Sequence, residues 1–384
     1  MIIEKFTIYK VPPRWVFLKI TTRSGYEGWG EPLVEGRADS VIAAVKELES
    51  YLIGKKAGDI EDIFQILYRG GFYRGGPVLM SAISGIEQAL WDIKGKALGI
   101  PVYELLGGRV RDKIRVYTWI GGDTPSEVLK GASLRLEQGY NAVKMNGCGK
   151  MDWLANIKDI SRVKEQLKEL RTTFGDNLDI GIDFHGRVHK PMLRRLVREM
   201  EPYHPMFFEE PVLPQHNEIL RSLSQFTSIP IATGERMYTR WDFKHILSES
   251  VVDIIQPDLS HAGGLWETRK IAAMAEAYDI AVALHCPLGP IAFSAALQFD
   301  FSTPNAVIQE SSLGIHYNQD GGSDLLDYVS NKEDYSIHNG FIFSNDKPGL
   351  GVVVDEYVVK EMAKQGHDWH NPVWRTEDGT IAEW

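Results

Sequence analysis

The sequence predicts an α/β protein: a (β/α)7β barrel, that is, a modified TIM barrel, with an α+β N-terminal capping domain completed by the C-terminal segment. Three features predict this. From about residue 114 onward, eight short apolar runs recur roughly every 25 residues, the length of one strand, one loop, one helix and one return loop. Before them, the chain alternates and turns as an antiparallel sheet does. After Gly340 it becomes rich in turns, alternates again through Gly351-Val-Val-Val, and ends with Trp374 and Trp384.

Taken in order, Val16-Phe-Leu-Lys-Ile-Thr-Thr reads as a strand, Arg23-Ser-Gly-Tyr as its turn and Gly28-Trp-Gly-Glu as the returning strand. Leu79, Ala82, Ile83, Ile86, Ala89, Leu90, Ile93 and Ala97 recur at the spacing of one helix face, and Gly107-Gly108 closes that block. The eight apolar runs start at Val116, Ala142, Ile180, Met206, Ile229, Asp253, Ala281 and Ala306. No clear amphipathic helix follows the eighth, where Gly314-Ile-His-Tyr and Gly321-Gly-Ser intervene, so the repeat is seven and a half units rather than eight. Residues 1–112, with 340–384 returning to them, are expected to form the cap, and residues 113–339 the barrel.

Composition narrows the function. The formal charge of −10 and the absence of a basic run exclude a polyanion partner such as nucleic acid. No apolar stretch approaches the ~20 residues of a membrane helix, and the start of the chain has no signal-peptide pattern. The two cysteines, Cys148 and Cys286, are far apart and belong to no Cys-x-x-Cys pair. A disulfide framework and a thiolate zinc site are therefore not expected, and the reducing cytoplasm is the expected compartment.

In a barrel of this kind, the strand ends gather at one mouth, and the polar residues there carry the chemistry. The third, fourth and fifth runs end with Asp183, Glu209 and Glu235. Taken singly, each could be a helix cap or half of a surface ion pair. Three on neighbouring strands would repel one another unless a hard divalent cation held them, and Mg²⁺ is the default for all-oxygen ligands. His185, two residues beyond Asp183, falls on the same side of its strand. Asp258 and His285 end adjacent strands, where a carboxylate can fix an imidazole tautomer and raise its basicity. Two histidines so placed suit general acid and base work better than a structural role. Glu310 ends the eighth run, either stabilising developing charge or forming an ordinary ion pair with a loop cation. Lys144 and Asn146 end the second, where the lysine could neutralise a carboxylate from one side and the asparagine donate a hydrogen bond, or both could simply face outward. Glu35-Gly-Arg37 and Phe72-Tyr-Arg-Gly-Gly-Pro77 look like loops that could reach the mouth, or simple turns, and His316 is a weak candidate for touching a substrate. Glu209-Glu210 could suggest a glycosidase pair, but neighbouring residues on a strand face opposite sides and cannot flank one bond.

With these residues in view, the chain resembles the enolase superfamily, mandelate racemase subgroup, over nearly its whole length. The resemblance rests on Gly28-Trp-Gly-Glu-Pro, Phe72-Tyr-Arg-Gly-Gly-Pro, Gln88-Ala-Leu-Trp-Asp-Ile-Lys-Gly-Lys, Asp183-Phe-His-Gly-Arg-Val, Gln256-Pro-Asp-Leu-Ser-His-Ala-Gly-Gly, His285-Cys-Pro-Leu-Gly-Pro and Ala382-Glu-Trp. It implies a Mg²⁺-dependent acid-sugar dehydratase in which Asp183, Glu209 and Glu235 bind a cation that engages the substrate carboxylate and stabilises an enediolate. By the same resemblance, His285 with Asp258 takes the C2 proton, His185 protonates the departing 3-hydroxyl and Glu310 stabilises the intermediate. The implied partner is a small acid sugar, an aldonate with D-galactonate ahead of gluconate and fuconate, and the implied assembly a homo-oligomer. At the second strand, racemases and cycloisomerases of the superfamily carry Lys-x-Lys, whereas this chain has Lys144-Met-Asn146. That departure disfavours their chemistry and suits a two-histidine mechanism. An inactive sugar-acid-binding paralogue is the alternative from outside catalysis, and the intact set of acids and histidines speaks against it.

Overall fold

Alternating residues at the start of the chain form a three-stranded antiparallel sheet of β1 (Ile3–Val11), β2 (Trp15–Thr22) and β3 (Glu27–Gly30), in a computed structural model that describes residues 1–315 and 324–384. Helices α1 (Ala38–Leu52), α2 (Ile60–Arg69) and α3 (Pro77–Leu98) follow, then the short α4 (Val102–Leu105). The pattern in α3 predicts one apolar face, but the helix is buried on nearly every side from Met80 to Ile93. The reason is close approach to β3: a Cβ added to Gly30 would lie 1.8 Å from the Gly85 carbonyl oxygen. Glycine on both elements lets the backbones meet, so the polar residues of α3 are enclosed along with the apolar ones.

The eight apolar runs all become parallel strands: β4 (Lys113–Ile120), β5 (Ala142–Asn146), β6 (Asp179–Asp183), β7 (Phe207–Glu209), β8 (Ile231–Thr233), β9 (Ile254–Ile255), β10 (Ala281–Val282) and β11 (Gln309–Ser311). Their spatial order is β10-β9-β8-β7-β6-β5-β4-β11, and a parallel bridge between Val282 and Ala306 joins the two ends into a closed barrel. Each of the first seven is followed by a helix: α5 (Pro125–Glu137), α6 (Ile157–Phe174), α7 (Lys190–Met200), α8 (Leu220–Ser224), α9 (Arg240–Ser248), α10 (Leu265–Glu276) and α11 (Pro290–Ser302). Among the described residues after β11, two 3₁₀ turns precede β12 (Phe341–Phe343), which pairs antiparallel with the start of β4, a pairing the alternation did not announce. The fold is thus a (β/α)7β barrel with a small antiparallel sheet and helices alongside. His316 and the Gly321-Gly-Ser run lie outside the described residues.

Two buried carboxylates tie the first part of the chain to the barrel. Glu87, on α3, accepts hydrogen bonds from the Leu265 and Trp266 amides at 2.9 Å each, at the N-terminus of α10. Glu31, just past β3, does the same for Gly289 at 2.6 Å and Ala292 at 3.0 Å at the start of α11. The first turn of a helix leaves amide donors without intrahelical partners and carries partial positive charge, so a carboxylate there satisfies both demands. A last helix, Glu356–Ala363, lies against β1 and β2, where Glu356 accepts hydrogen bonds from Lys19 at 2.7 Å and Tyr9 at 3.1 Å. Among the described residues, no helix is long and apolar enough to cross a membrane.

Candidate active site

Parallel register sets the acids side by side. Asp183 is the cross-strand partner of both Asn146 and Glu209 at the ends of β5, β6 and β7. Glu235 lies two residues beyond β8, and one oxygen from each of Asp183, Glu209 and Glu235 falls within 4.8 Å of the others. Lys144, on β5, is enclosed among them, with Nζ 2.6 Å from Glu209, 2.8 Å from Glu310 and 3.4 Å from Asp183. Glu310 completes its contacts by accepting the Cys286 amide at 3.0 Å. Of the two readings of Glu310, the ion pair is the one visible, although its cation comes from a strand rather than a loop.

These groups fit a divalent cation. Burial, and then Asp183 beside it, push the Glu209 carboxyl well above the ordinary range. One lysine shared among three carboxylates leaves negative charge uncompensated in a region without solvent, and the Glu235 Oε2 atom is buried with no hydrogen-bond partner. The donors are all oxygens, the set that hard cations take.

Two histidines flank this floor. His185 follows β6 in a left-handed backbone conformation, φ 50°, that holds its amide on Asp183 at 2.7 Å and its Nε2 3.1 Å from the same carboxylate. A non-glycine residue held there is a local cost associated with functional positions. Burial outweighs Asp183 and lowers the imidazole to about 4, and Nδ1 is buried with no partner. His285, three residues past β10, places Nδ1 2.9 Å from Asp258 and Nε2 3.6 Å from Glu235. Burial pulls its pKa down, but Glu235 and Asp258 outweigh burial and raise it to about 10. Asp258, buried past the end of β9, is oriented by the Ser260 amide at 2.7 Å. His261, which sequence reasoning passed over, stands 3.6 Å from Asp258 and bonds Ser81 of α3 at 2.8 Å. Its spacing of three from Asp258 was the available signal.

Asp183, Glu235 and Glu310, with His185, His261 and His285, open into one cavity of about 550 Å³, while Glu209 and Asp258 stand behind its wall. Asn146 lines it, as do Glu35 and Pro77 from the two candidate loops, while Arg37 does not and Phe72 and Tyr73 project into solvent. Glu210 turns away from it and accepts the Gly234 amide at 3.0 Å, as strand alternation requires. Cys148 and Cys286 are buried and unpaired with each other. Among the lining residues that sequence reasoning missed are Arg14 from the turn between β1 and β2, Arg187 and Arg236 from barrel loops, and Trp369, Asn371, Trp374 and Trp384 from the end of the chain.

Residues 10–107 match the mandelate racemase/muconate lactonizing enzyme N-terminal domain, and residues 127–358 match the enolase C-terminal domain-like family. The chain belongs to the mandelate racemase/muconate lactonizing enzyme family. Within that family, the proteins named D-galactonate dehydratase of Pectobacterium atrosepticum and Ralstonia pickettii are 56% and 54% identical to it, each over the whole of both chains. Among solved members of the enolase superfamily, an enolase from Agrobacterium radiobacter with Na and L-malate bound superimposes with a TM-score of 0.90 at 30% identity, covering all of both chains. A mandelate racemase/muconate lactonizing enzyme from a Sulfitobacter species gives 0.89 at 29% identity, covering 98% of this chain and 99% of its own. As an enzyme of this superfamily, the chain carries an acidic trio able to hold a metal ion.

Proposed function

We propose that the protein is a Mg²⁺-dependent D-galactonate dehydratase, forming 2-dehydro-3-deoxy-D-galactonate and water. The observation that carries the reading is the trio of Asp183, Glu209 and Glu235, with His185 on one side and the Asp258–His285 pair on the other. The full-length likeness to two proteins of that name supports the choice of substrate. A relative with a cation and a 2-hydroxy acid bound agrees with the class.

Asp183, Glu209 and Glu235 would hold the cation. When bound, it would neutralise the substrate carboxylate and the charge that grows there, and would offset the Glu235 charge that faces His285. His285 then removes the C2 proton, and Asp258 steadies the imidazolium that results. On the other side, the imidazolium form of His185, favoured by Asp183 and Glu235 against burial, gives a proton to the C3 hydroxyl as the C–O bond breaks, leaving a neutral imidazole and water. The electron pair of the C2–H bond becomes the C2–C3 double bond, and the enol tautomerises to the 2-keto acid. Lys144 and Glu310 hold one another at 2.8 Å and keep the substrate's polar end of the pocket fixed. The same reading takes 1–112 with 340–384 as the cap and 113–339 as the catalytic unit.

The test is turnover of an aldonate panel by purified protein with Mg²⁺, scoring 2-keto-3-deoxy product, beside samples treated with EDTA and the variant His285→Asn. D-Galactonate turnover abolished in both controls is the expected result. Turnover of gluconate or fuconate instead would keep the chemistry and change the substrate, and no turnover of any sugar acid would favour a binding-only protein.

A further inference from the structure

The last nineteen residues carry three tryptophans, Trp369, Trp374 and Trp384, in a stretch that is otherwise mostly exposed and polar. All three are only partly exposed, and all three line the catalytic cavity. Their rings touch: Trp384 stands 6.2 Å from Trp369 at 50° and 6.4 Å from Trp374 at 85°, tilted and edge-on geometries that aromatic pairs favour. A small hairpin fixes the segment, with Arg375 bridged to Ile381, the Thr376 amide donating to Thr380 at 2.9 Å and the Ala382 amide to Trp374 at 3.1 Å.

Where this segment is anchored matters more. Trp369 lies 5.4 Å from the guanidinium of Arg14, which donates at 2.7 Å to the carbonyl of Pro287, two residues past His285. Trp374 lies 4.8 Å from the guanidinium of Arg187, two residues past His185, and Arg187 donates at 3.3 Å to the carbonyl of Cys148. Lys150 adds a bond at 2.6 Å to the carbonyl of Arg375. The end of the chain is therefore a strap running from the loop of one histidine to the loop of the other, along a cavity that the strand-end acids Asp183, Glu235 and Glu310 also line.

We infer that this strap is the specificity-determining wall of the site: Trp369, Trp374 and Trp384 pack against the C–H face of the part of the sugar acid that takes no part in the chemistry, with Asn371 supplying an amide for a hydroxyl. The inference rests on the proposed dehydratase reading and extends it to the far end of the substrate. An acid held at its carboxylate, C2 and C3 between the two histidines must send its remaining carbons toward the strap. Polyol C–H bonds carry partial positive charge and match the negative face of an indole, while hydroxyls do not. Such a wall therefore reads which side of the chain each hydroxyl is on, and D-gluconate differs from D-galactonate at C4 alone. Binding energy from a remote contact of this kind governs substrate choice.

The test uses the full-length protein with Mg²⁺ and the variants Trp374→Leu and Trp384→Leu. Steady-state kinetics on D-galactonate and D-gluconate are measured together with tryptophan fluorescence titrations of the His285→Asn protein with D-galactonate, D-gluconate and galactarate. The expected result is a rise in KM for D-galactonate of about ten-fold or more with kcat changed less than about three-fold, a galactonate-to-gluconate preference moved toward unity, and a saturable fluorescence change. Unchanged KM and preference in both variants overturns the proposal while leaving the dehydratase reading intact. A fall in kcat alone, with a lowered melting temperature and no change in preference, makes the strap merely structural and also overturns it. If no aldonate is turned over, the dehydratase reading fails, and the fluorescence titration then decides the wall: a response to one of the acids upholds it, and none overturns it.

Discussion

Asp258→Asn isolates the carboxylate that backs the proposed base. Asp258 is buried, its Oδ2 lies 2.9 Å from His285 Nδ1 and its Oδ1 accepts the Ser260 amide at 2.7 Å. Asparagine keeps an oxygen for the Ser260 amide, so the loop should hold its shape, but the negative charge beside the imidazole is gone. Two unit charges about 4 Å apart interact by about 4 kcal/mol at the effective dielectric of such sites, and that stabilisation is needed only once His285 carries the C2 proton. Losing it from the transition state alone costs on the order of 10³ in kcat. His261, at 3.6 Å from the same carboxylate, already draws on part of that charge and moves the expectation toward the order of 10². The assay is kcat for D-galactonate at saturating Mg²⁺, with a melting curve to show that the fold persists. The double variant Asp258→Asn/His285→Asn should be no slower than His285→Asn alone, because residues acting as one unit are not additive. A kcat reduced less than ten-fold, or losses that multiply in the double variant, would refute the pairing.

Three other outcomes are expected. Glu209→Gln removes one of the three clustered acids but keeps a side chain of the same length between Lys144 and Gln256, so calorimetric titration should show Mg²⁺ affinity falling by roughly 10²-fold or more while the melting temperature barely drops. Glu87→Ala strands three buried donors, the Leu265 and Trp266 amides and the Trp91 indole at 2.6 Å, and at about 1 kcal/mol each should lower stability by about 3 kcal/mol in urea unfolding. Burial raises the Glu356 carboxyl, but hydrogen bonds from Lys19, Lys360 and Tyr9 outweigh it and bring the group from 4.5 to about 2. Its folded pKa is depressed, so its contribution is complete above the unfolded value and fades as pH falls through about 2; discounted for solvent screening, it is about 1 kcal/mol. The melting temperatures of Glu356→Gln and the parent should differ most above pH 5 and converge toward pH 2.

The barrel was legible because its period is long and its strands are enclosed, so most read as short apolar runs such as Ala281-Val-Ala-Leu. Asp183 and Glu209 followed from that, since a strand end fixes where its last side chain goes. Glu235, Asp258 and His285 were found for a looser reason: they lie two or three residues past short strands, and their positions depend on loop turns that periodicity does not encode. The burial of α3 was not legible, because it depends on glycines in two elements meeting face to face. Nor was the strap. Trp369, Trp374 and Trp384 have no helical or strand spacing, and the first two meet Arg14 and Arg187, which lie 355 and 187 positions earlier in the chain. Lys144 was recognised as a neutralising group, but the number of acids it serves is a property of three strands together.

The carboxylates of Glu31 and Glu87 change what counts as the smallest working piece of this molecule. The helices they cap begin just after the loops that carry His285 and Asp258, so the two turns of backbone nearest the proposed base are finished by side chains synthesised long before them. A barrel cut free at its first strand would keep every acid and histidine of the site, yet two of its helices would start with bare amides beside the proton-transfer pair. For gene fusion, domain transplantation or directed recombination, the natural breakpoints of this chain therefore do not coincide with the edge of its barrel.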